Sequence, residues 1–211
     1  MKVVILCGGK GTRMADADYD AKALVEIGHR PIIWHIMKIY ATFGHKDFVL
    51  TLGHGAATIK RYFLDYEPMA QDFTLTLGDK PQIEYHQALG ENDWRVTLAD
   101  TGLDANKGAR VARVLRYLGD QRFHLTYGDG LGDINLSALM EFHQSHGRLA
   151  TLTGYQPYSQ YGILQVQPDG RVVGFEEKPR LSDWINAGFM VLEPGVAEYF
   201  RGDDTLDLER D

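Results

Sequence analysis

The chain lacks the features that mark several large classes of protein. Its 211 residues include a single cysteine, Cys7, which excludes an internal disulfide and a paired-cysteine metal site, so we expect a reducing compartment. No stretch approaches the roughly 18 apolar residues that a membrane span needs. Charged Lys2 is followed by only five apolar residues, which is too short for a secretory leader. We therefore expect a soluble cytoplasmic protein.

Positive charge is also scarce. Lys and Arg number 22 against 29 Asp and Glu, and the net charge is −7. Such a chain has no general attraction for nucleic acid or for an anionic membrane, so we expect neither as a partner, and any anion binding has to be local. The length and the 44% hydrophobic content suit one α/β domain of about 200 residues, and we predict a single domain over residues 1–211.

Short apolar runs rich in β-branched or aromatic residues predict buried strands. They fall at residues 3–6, 48–52, 123–127 and 149–153. Between them, apolar residues at helical spacing predict helices that begin at Pro31, Gly108 and Leu136. This alternation favours a doubly wound α/β fold, in which a mostly parallel central sheet carries helices on both faces and binds ligands beyond the carboxyl ends of its strands.

The middle of the chain has a different pattern. Residues 73–77, 82–86 and 95–99 alternate like partly exposed strands. Residues 168–170, Pro-Asp-Gly, predict a turn between strands at 165–167 and 171–175. We therefore predict that these segments form a small antiparallel sub-lobe attached to the main sheet.

The first predicted strand leads into a loop rich in glycine and cations, with the sequence GGKGTR at residues 8–13. Met14 stands where a dinucleotide-binding fingerprint needs a glycine, and no GxxxxGK[ST] sequence occurs, so two common phosphate motifs are excluded. Bare backbone N–H groups can nevertheless enclose phosphate oxygens, and the planar guanidinium of Arg13 can bind them. The alternative is a tight turn with a solvated arginine.

Three other charged residues lie close to predicted strands or to this loop, and each also has a plainer explanation. Lys22 precedes an apolar segment close behind the glycine loop, although a lone lysine is more often a surface residue. Asp129, between two glycines, is a hard oxygen ligand suited to Mg²⁺ beside substrate phosphates, or belongs to an ordinary turn. Lys178, in Glu-Glu-Lys-Pro, is placed to reach a second phosphate, or belongs to a solvated charge run.

Together these segments supply cations, a loop rich in N–H groups and a carboxylate, but no nucleophile. No serine has a histidine at a recognisable motif spacing, and the eight histidines form no HxxxH or HExxH zinc pattern. Cys7 is expected to be a small buried residue. Binding of phosphates by positive charge without a nucleophile favours phosphoryl or nucleotidyl transfer.

The chain also resembles a known family, the sugar-1-phosphate nucleotidyltransferases. The likeness spans residues 1–192 and rests on five segments in this order: LCGGKGTRM, AKALVEIGHRPIIWHIMKIYATFG, DTGLDANKGARVARV, LTYGDGLGDI and FEEKPRLSDWINAGFMVL. It implies the Rossmann-like nucleotidyltransferase fold and a Mg²⁺ cofactor. It also implies transfer from CTP, or another nucleoside triphosphate, to glucose 1-phosphate or another sugar 1-phosphate, with release of pyrophosphate. The resemblance suggests a homo-oligomer as well.

The resemblance implies roles for particular residues. Nucleotide binding would fall to Leu6, Cys7, Gly8, Gly9, Gly11, Thr12, Arg13, Lys22, Arg110 and Gly128. Sugar-phosphate binding would fall to Glu177, Lys178 and Asn186, and Mg²⁺ would be held by Asp129. The catalytic set would be Arg13, Lys22, Asp129 and Lys178.

Three departures from the family pattern leave alternatives open. Alanines at positions 21 and 23 replace the prolines that flank the signature lysine, so we expect a less rigid loop at Lys22. Residues 103–107 replace a Ser/Thr-rich segment near the base, so use of UTP, dTTP or GTP, or of another phosphorylated sugar or polyol, stays open. The chain stops before the family's second metal-binding aspartate. We therefore expect either a truncated C-terminal part or an incomplete metal site, and a catalytically silent nucleotide-binding homologue remains a second hypothesis.

Overall fold

The computed structural model describes residues 1–9 and 21–210. The strands of this described part are β1 (Lys2–Leu6), β2 (Glu26–Ile27), β3 (Arg30–Pro31), β4 (Asp47–Leu52), β5 (Phe73–Thr76), β6 (Gln82–Tyr85), β7 (Arg95–Asp100), β8 (Phe123–Tyr127), β9 (Ala150–Tyr155), β10 (Ile163–Val166), β11 (Val172–Glu176) and β12 (Ile185–Leu192). Its α-helices are α1 (Ile32–Thr42), α2 (Ala56–Leu64), α3 (Tyr66–Ala70), α4 (Lys107–Val114) and α5 (Leu136–His146). Short 3₁₀ turns occur at Lys22–Leu24, Leu115–Tyr117 and Pro194–Glu198.

A six-stranded sheet with the order β7-β4-β1-β8-β12-β9 forms the centre of the molecule. The four strands from β7 to β8 run parallel, whereas β12 runs antiparallel to both of its neighbours. Leu6 at the end of β1 lies opposite Thr51 of β4 and Tyr127 of β8. The loops that follow these three strands therefore open at the same edge of the sheet, where ligands bind in folds of this kind.

Both faces of the sheet are covered by helices. Val3 and Ile5 of β1 point to one face, where they pack in a cluster with buried residues of α1. Val4 points to the opposite face and packs in a second cluster with Val111 and Val114 of α4. Because successive side chains of a strand point to opposite faces, β1 contributes to two cores, and the doubly wound prediction is confirmed.

The helix predictions are also confirmed. Pro31 is the residue before the first turn of α1, and α5 covers the predicted residues 136–146. The helix predicted at Gly108 begins one residue earlier and ends at Val114, where the 3₁₀ turn continues it. The longest of these helices have 11 residues, and none in residues 1–9 and 21–210 is long and apolar enough to cross a membrane.

One strand was placed wrongly by the sequence pattern. Residues 95–99, expected in the antiparallel sub-lobe, form β7, which pairs in parallel with β4 at the edge of the main sheet. Residues of β7 pack on both faces of the sheet: Val96 and Leu98 lie against the first core cluster and Ala99 lies in the second, whereas Arg95 at the start of the strand is exposed. Apolar residues at alternate positions therefore did not reveal the direction of the strand. The other segments do form antiparallel hairpins, β5–β6 and β10–β11.

Candidate active site

The carboxyl ends of β1 and β8 meet at the centre of the ligand-binding edge. The N–H of Gly128 donates to the carbonyl oxygen of Leu6 at 3.0 Å. A Cβ atom at position 128 would lie 2.9 Å from both that oxygen and the Sγ atom of Cys7, so only glycine fits between the two strands. Burial and then the nearby charge of Asp129 raise the pKa of the Cys7 thiol, which keeps it protonated. The structure thus brings Leu6, Cys7, Gly128 and Asp129 together.

Arg110 forms hydrogen bonds to the ends of the parallel strands and to the loops that follow them. It lies on α4, and 4% of its surface is exposed. Its guanidinium donates to five oxygen atoms: the carbonyl oxygens of Gly8, Leu52, Gly102 and Leu103 and the hydroxyl oxygen of Thr101. Burial, and then the charge of Arg113, lower the pKa of Arg110. The sequence predicts that Arg110 contacts the nucleotide. In the structure its guanidinium instead donates to oxygen atoms of the protein, at the ends of the parallel strands and in the loops that follow them.

A cavity of about 360 Å³ lies beside this guanidinium. Four residues predicted to bind nucleotide line it, namely Leu6, Gly8, Gly9 and Arg110, and residues 103–107 form the opposite wall. Its volume is at the lower end of the range for small-molecule sites. A larger cavity of about 830 Å³ lies between α1 and residues 131–135, and its lining includes none of the predicted site residues. The chemistry of the strand ends therefore favours the smaller cavity as the nucleotide site.

Lys22 lies on a 3₁₀ turn whose flanking residues are buried. Ala21 and Ala23 are 6% and 3% exposed and pack in the same cluster as Val3 and Ile5. Two backbone bonds close the turn, from the N–H of residue 24 to Ala21 and from that of residue 25 to Lys22. Burial of the alanines therefore anchors the turn where the family has prolines. Residues 10–20, which include Gly11, Thr12 and Arg13, lie outside the described residues, so their predicted roles stay predictions.

The predicted sugar-phosphate residues fall in two places. Glu177 and Lys178 follow β11 and are exposed, and Lys178 has a φ of 47°, a positive value that no other non-glycine residue of the described part adopts. Asn186 lies on β12, where its Nδ2 donates to the hydroxyl of Tyr127 at 3.1 Å. Since Tyr127 directly precedes Gly128, Asn186 is joined to the Asp129 side of the site. No hydrogen bond among the described residues joins Glu177 or Lys178 to Asn186.

Three residues at this site, Lys107, Tyr127 and Glu209, were not predicted from the sequence. Tyr127 donates its hydroxyl proton to Oε1 of Glu209 at 2.6 Å, and Oε2 of Glu209 lies 2.5 Å from Nζ of Lys107. Burial, and then the bond to Glu209, raise the pKa of the Tyr127 phenol. Tyr127 could have been found from its place one residue before the Gly-Asp-Gly turn. Glu209 lies in a charged stretch that carries no motif, so nothing in the sequence pointed to it.

The C-terminal segment, residues 203–209, packs against the first turn of α4. The backbone N–H groups of Asn106 and Ala109 donate to the carbonyl oxygens of Asp204 and Leu206 at 2.8 and 3.2 Å. Leu206 also lies so close that a Cβ atom at Gly108 would be 2.8 Å from its Cγ. These bonds take up N–H groups that a helix start leaves without partners. The segment is therefore part of the wall that carries residues 103–107.

Asp129 offers the donor chemistry that Mg²⁺ prefers. Its carboxylate is exposed and follows the buried Gly128 at the end of β8. Mg²⁺ typically takes one or two carboxylates together with phosphate oxygens of a substrate. A carboxylate at this edge, next to the predicted phosphate loop, fits such an ion.

Comparison with known proteins identifies the family. The sequence profile described as nucleotidyl transferase matches residues 2–210. The chain belongs to the nucleotidyl transferase family. It is 46% identical over 211 residues to "Probable glucose-1-phosphate cytidylyltransferase" of Bacillus subtilis, with 99% of this chain and 81% of that protein aligned. Against "Glucose-1-phosphate cytidylyltransferase" of Salmonella typhi the identity is 41% over 208 residues, covering 97% and 80% of the two proteins.

A solved structure supports the fold. The crystal structure of HddC from Yersinia pseudotuberculosis superposes with a TM-score of 0.66 at 20% sequence identity, covering 100% of this chain and 84% of that one. At this identity the likeness concerns the fold alone. Together with the family match, it confirms the predicted nucleotidyltransferase fold.

Proposed function

We propose that the protein transfers a cytidylyl group from CTP to glucose 1-phosphate, giving CDP-glucose and pyrophosphate, and that residues 1–211 act as one nucleotidyltransferase domain. The observation that carries the proposal is the identity of 46% and 41% to proteins named for this reaction, along 99% and 97% of the chain. The meeting of β1 and β8 beside a cavity of nucleotide-site size supports it.

In the proposed reaction a phosphate oxygen of glucose 1-phosphate attacks the α-phosphorus of CTP. A new P–O bond forms while the bond from that phosphorus to the bridging oxygen breaks, and pyrophosphate leaves with the electron pair. The protein forms no covalent bond to either substrate. The raised pKa of the Cys7 thiol supports this route, because a partly buried neutral thiol is a poor nucleophile.

The nucleoside occupies the 360 Å³ cavity in this proposal, between Gly8 and Gly9 on one side and residues 103–107 on the other. Arg110 holds the carbonyl oxygens of Gly8 and Leu103, and so sets the width of the opening. Arg13 and Lys22 offset charge on the triphosphate. Positioning and neutralisation of this kind supply most of the catalysis in phosphoryl transfer.

Asp129 would hold Mg²⁺, which when bound orients the phosphates and neutralises their charge. On the acceptor side, Lys178 binds the phosphate of glucose 1-phosphate, and Glu177 and Asn186 hold the sugar. Asn186 has a fixed orientation for this task, because its Oδ1 accepts from the N–H of Gly188 at 2.8 Å and its Nδ2 donates to Tyr127.

The test is a matrix of CTP, UTP, dTTP and GTP against several sugar 1-phosphates, read by pyrophosphate release with Mg²⁺ present. We expect CTP with glucose 1-phosphate to give a kcat/KM at least about tenfold above any other pair, since 1.4 kcal/mol of differential binding gives that ratio. A higher value for another base would reject the assignment of CTP. Nucleotide binding by calorimetry, with no turnover of any pair, would instead favour a silent homologue.

The metal role is tested in the same assay with Asp129→Ala. We expect turnover to fall by at least about a hundredfold, because the carboxylate and the charge that it holds act at the phosphates. Asp133→Ala is the matched control, since Asp133 is an exposed aspartate on the loop after the same strand. Unchanged turnover in Asp129→Ala would reject the metal role, whereas an equal loss in both variants would point to damage of the loop.

A further inference from the structure

A continuous chain of side chains links the two sides of the proposed site. Asn186 on the sugar-phosphate side donates to the Tyr127 hydroxyl at 3.1 Å, and that hydroxyl donates to Oε1 of Glu209 at 2.6 Å. The other carboxylate oxygen of Glu209 lies 2.5 Å from Nζ of Lys107, which lines the nucleotide cavity. Glu209 therefore contacts one residue that leads to each substrate.

The direction of each hydrogen bond in this chain is determined. A protonated phenol has one hydrogen to donate, and the carboxylate of Glu209 has none, so the Tyr127 hydrogen goes to Glu209. The phenol oxygen is then an acceptor, and Asn186 has to present its NH₂ group to it. The Oδ1 of Asn186 accepts from the Gly188 N–H at 2.8 Å, which agrees with this orientation. The Asn186 NH₂ group has two hydrogens, and one of them goes to Tyr127. The second hydrogen therefore also points in a fixed direction.

The ring of Tyr127 is held by packing as well. Gly188 has a φ of +84°, and a Cβ atom there would lie 2.6 Å from Cδ2 of Tyr127. Nζ of Lys107 also lies 5.4 Å from the centre of the ring, within the range of a cation–π contact. The ring cannot turn away from Glu209 without losing these contacts.

We propose that Glu209 is a positioning residue for both substrates, holding Asn186 through Tyr127 at the sugar phosphate and Lys107 at the nucleotide. The proposal rests on the proposed function, which supplies the two substrates. It assigns a role to a residue of the C-terminal segment that touches neither of them. Its consequence is a defined split: Tyr127 serves the sugar phosphate and Lys107 serves the nucleotide, whereas Glu209 serves both.

Steady-state kinetics of four single variants test this split. We expect Tyr127→Phe to raise the KM for glucose 1-phosphate about five- to tenfold with little change for CTP, the size of effect that one hydrogen bond produces. Lys107→Met should raise the KM for CTP by a similar factor with little change for glucose 1-phosphate, because a methionine side chain keeps the packing against the Tyr127 ring. Glu209→Ala should raise both. A general loss of structure would not separate the two substrates in this way.

Asp204→Ala is the matched control for docking of the C-terminal segment. Its side chain pairs with Arg113 and so also holds that segment against α4, but among the described residues no hydrogen bond or ion pair joins it to Tyr127 or Lys107. We expect both KM values to stay within about twofold of wild type. Equal effects of Asp204→Ala and Glu209→Ala, or unchanged KM values in Glu209→Ala, would overturn the proposal.

Failure of the proposed function has a different signature. Wild-type protein without turnover of CTP and glucose 1-phosphate would reject that function. The role of Glu209 is then measured by calorimetric titration of the same two compounds into the same variants, with the same split expected in Kd. Wild-type protein that binds neither compound, or Kd values that Glu209→Ala leaves unchanged, would reject the positioning role too.

Discussion

The carbonyl oxygen of Gly8 accepts a hydrogen bond from Nη2 of Arg110 at 2.9 Å, although the two residues lie 102 positions apart in the chain. The guanidinium lies so close to the glycine that a Cβ atom at position 8 would be 2.2 Å from Nη1 of Arg110. The start of the glycine loop after β1 is therefore held in place by Arg110 of α4, a helix that lies much later in the sequence.

This contact makes Gly8 intolerant of any side chain. We expect Gly8→Ala to lower the free energy of unfolding by about 1–3 kcal/mol, because the added methyl group forces a buried guanidinium to shift. Urea denaturation measures the loss. Gly9→Ala is the control, since no atom of residues 1–9 and 21–210 lies within 4 Å of a Cβ atom there, and its change should stay within about 0.5 kcal/mol. Equal stability of Gly8→Ala and wild type would contradict the contact.

Arg110→Lys should cost more than a loss of charge, because the charge is kept. A lysine ammonium carries its three donors on one atom and cannot reach five oxygens in the plane of a guanidinium. The carbonyl oxygens of Gly8 and Leu52 keep other donors, whereas those of Gly102 and Leu103 lose theirs at about 1–3 kcal/mol each, so we expect a loss of about 2 kcal/mol or more in urea denaturation. Arg116→Lys, at an exposed arginine near the end of the same helical segment, should change stability by less than about 0.5 kcal/mol.

The positive φ of Lys178 predicts a separation of stability from activity. A non-glycine residue in the left-handed region costs about 1 kcal/mol, and glycine avoids that cost. We expect Lys178→Gly to be about 1 kcal/mol more stable than Lys178→Ala by thermal unfolding, while both lose affinity for glucose 1-phosphate. Two variants of equal stability would show that the backbone at this position carries no strain.

His124 predicts a dependence of stability on pH. Its ring is fully buried in β8 beside Tyr40 and His45, and burial, followed by the charge of His45, lowers its pKa to about 3. The unfolded ring takes up a proton near pH 6.5, whereas the folded ring does not until about pH 3. The contribution of this group is therefore complete above pH 6.5 and is lost as the pH falls from 6.5 towards 3.

Between pH 7.5 and 5, this one group should lower the free energy of unfolding of the wild type by about 2 kcal/mol. We expect His124→Gln to lose correspondingly less over the same interval, measured by urea denaturation at the two pH values. His29→Gln, at an exposed histidine, should keep the wild-type dependence. An unchanged pH dependence in His124→Gln would reject the assignment.

Local patterns were sufficient to predict most elements of the fold. The run at residues 123–127 and the helix at 136–146 have the predicted bounds, because burial on both sides of a strand and one apolar helix face are both visible in a short window of sequence. Pro31 fixed the start of α1 for a similar reason, since its backbone angle suits the residue at a helix start. Whether a strand runs parallel or antiparallel to its neighbours was not visible in such a window, and β7 was assigned to the wrong sheet for that reason.

Less of the candidate site could be predicted from the residues themselves. The glycines at the ends of β1 and β8 were found because each is adjacent to a recognisable strand. The task of Arg110 depends on oxygen atoms contributed by residues 8, 52 and 101–103, which only the folded chain brings together. The same holds for Tyr127 and Glu209, which are 82 residues apart.

The contact between the C-terminal segment and α4 has a consequence for the order of folding. Asn106 donates to the carbonyl oxygen of Thr205, 99 residues further along the chain. During synthesis α4 leaves the ribosome long before its hydrogen-bond partners exist, so the central strands can assemble while one wall of the nucleotide cavity is still incomplete. A nascent chain should gain its affinity for nucleotide late, in a step separate from formation of the sheet.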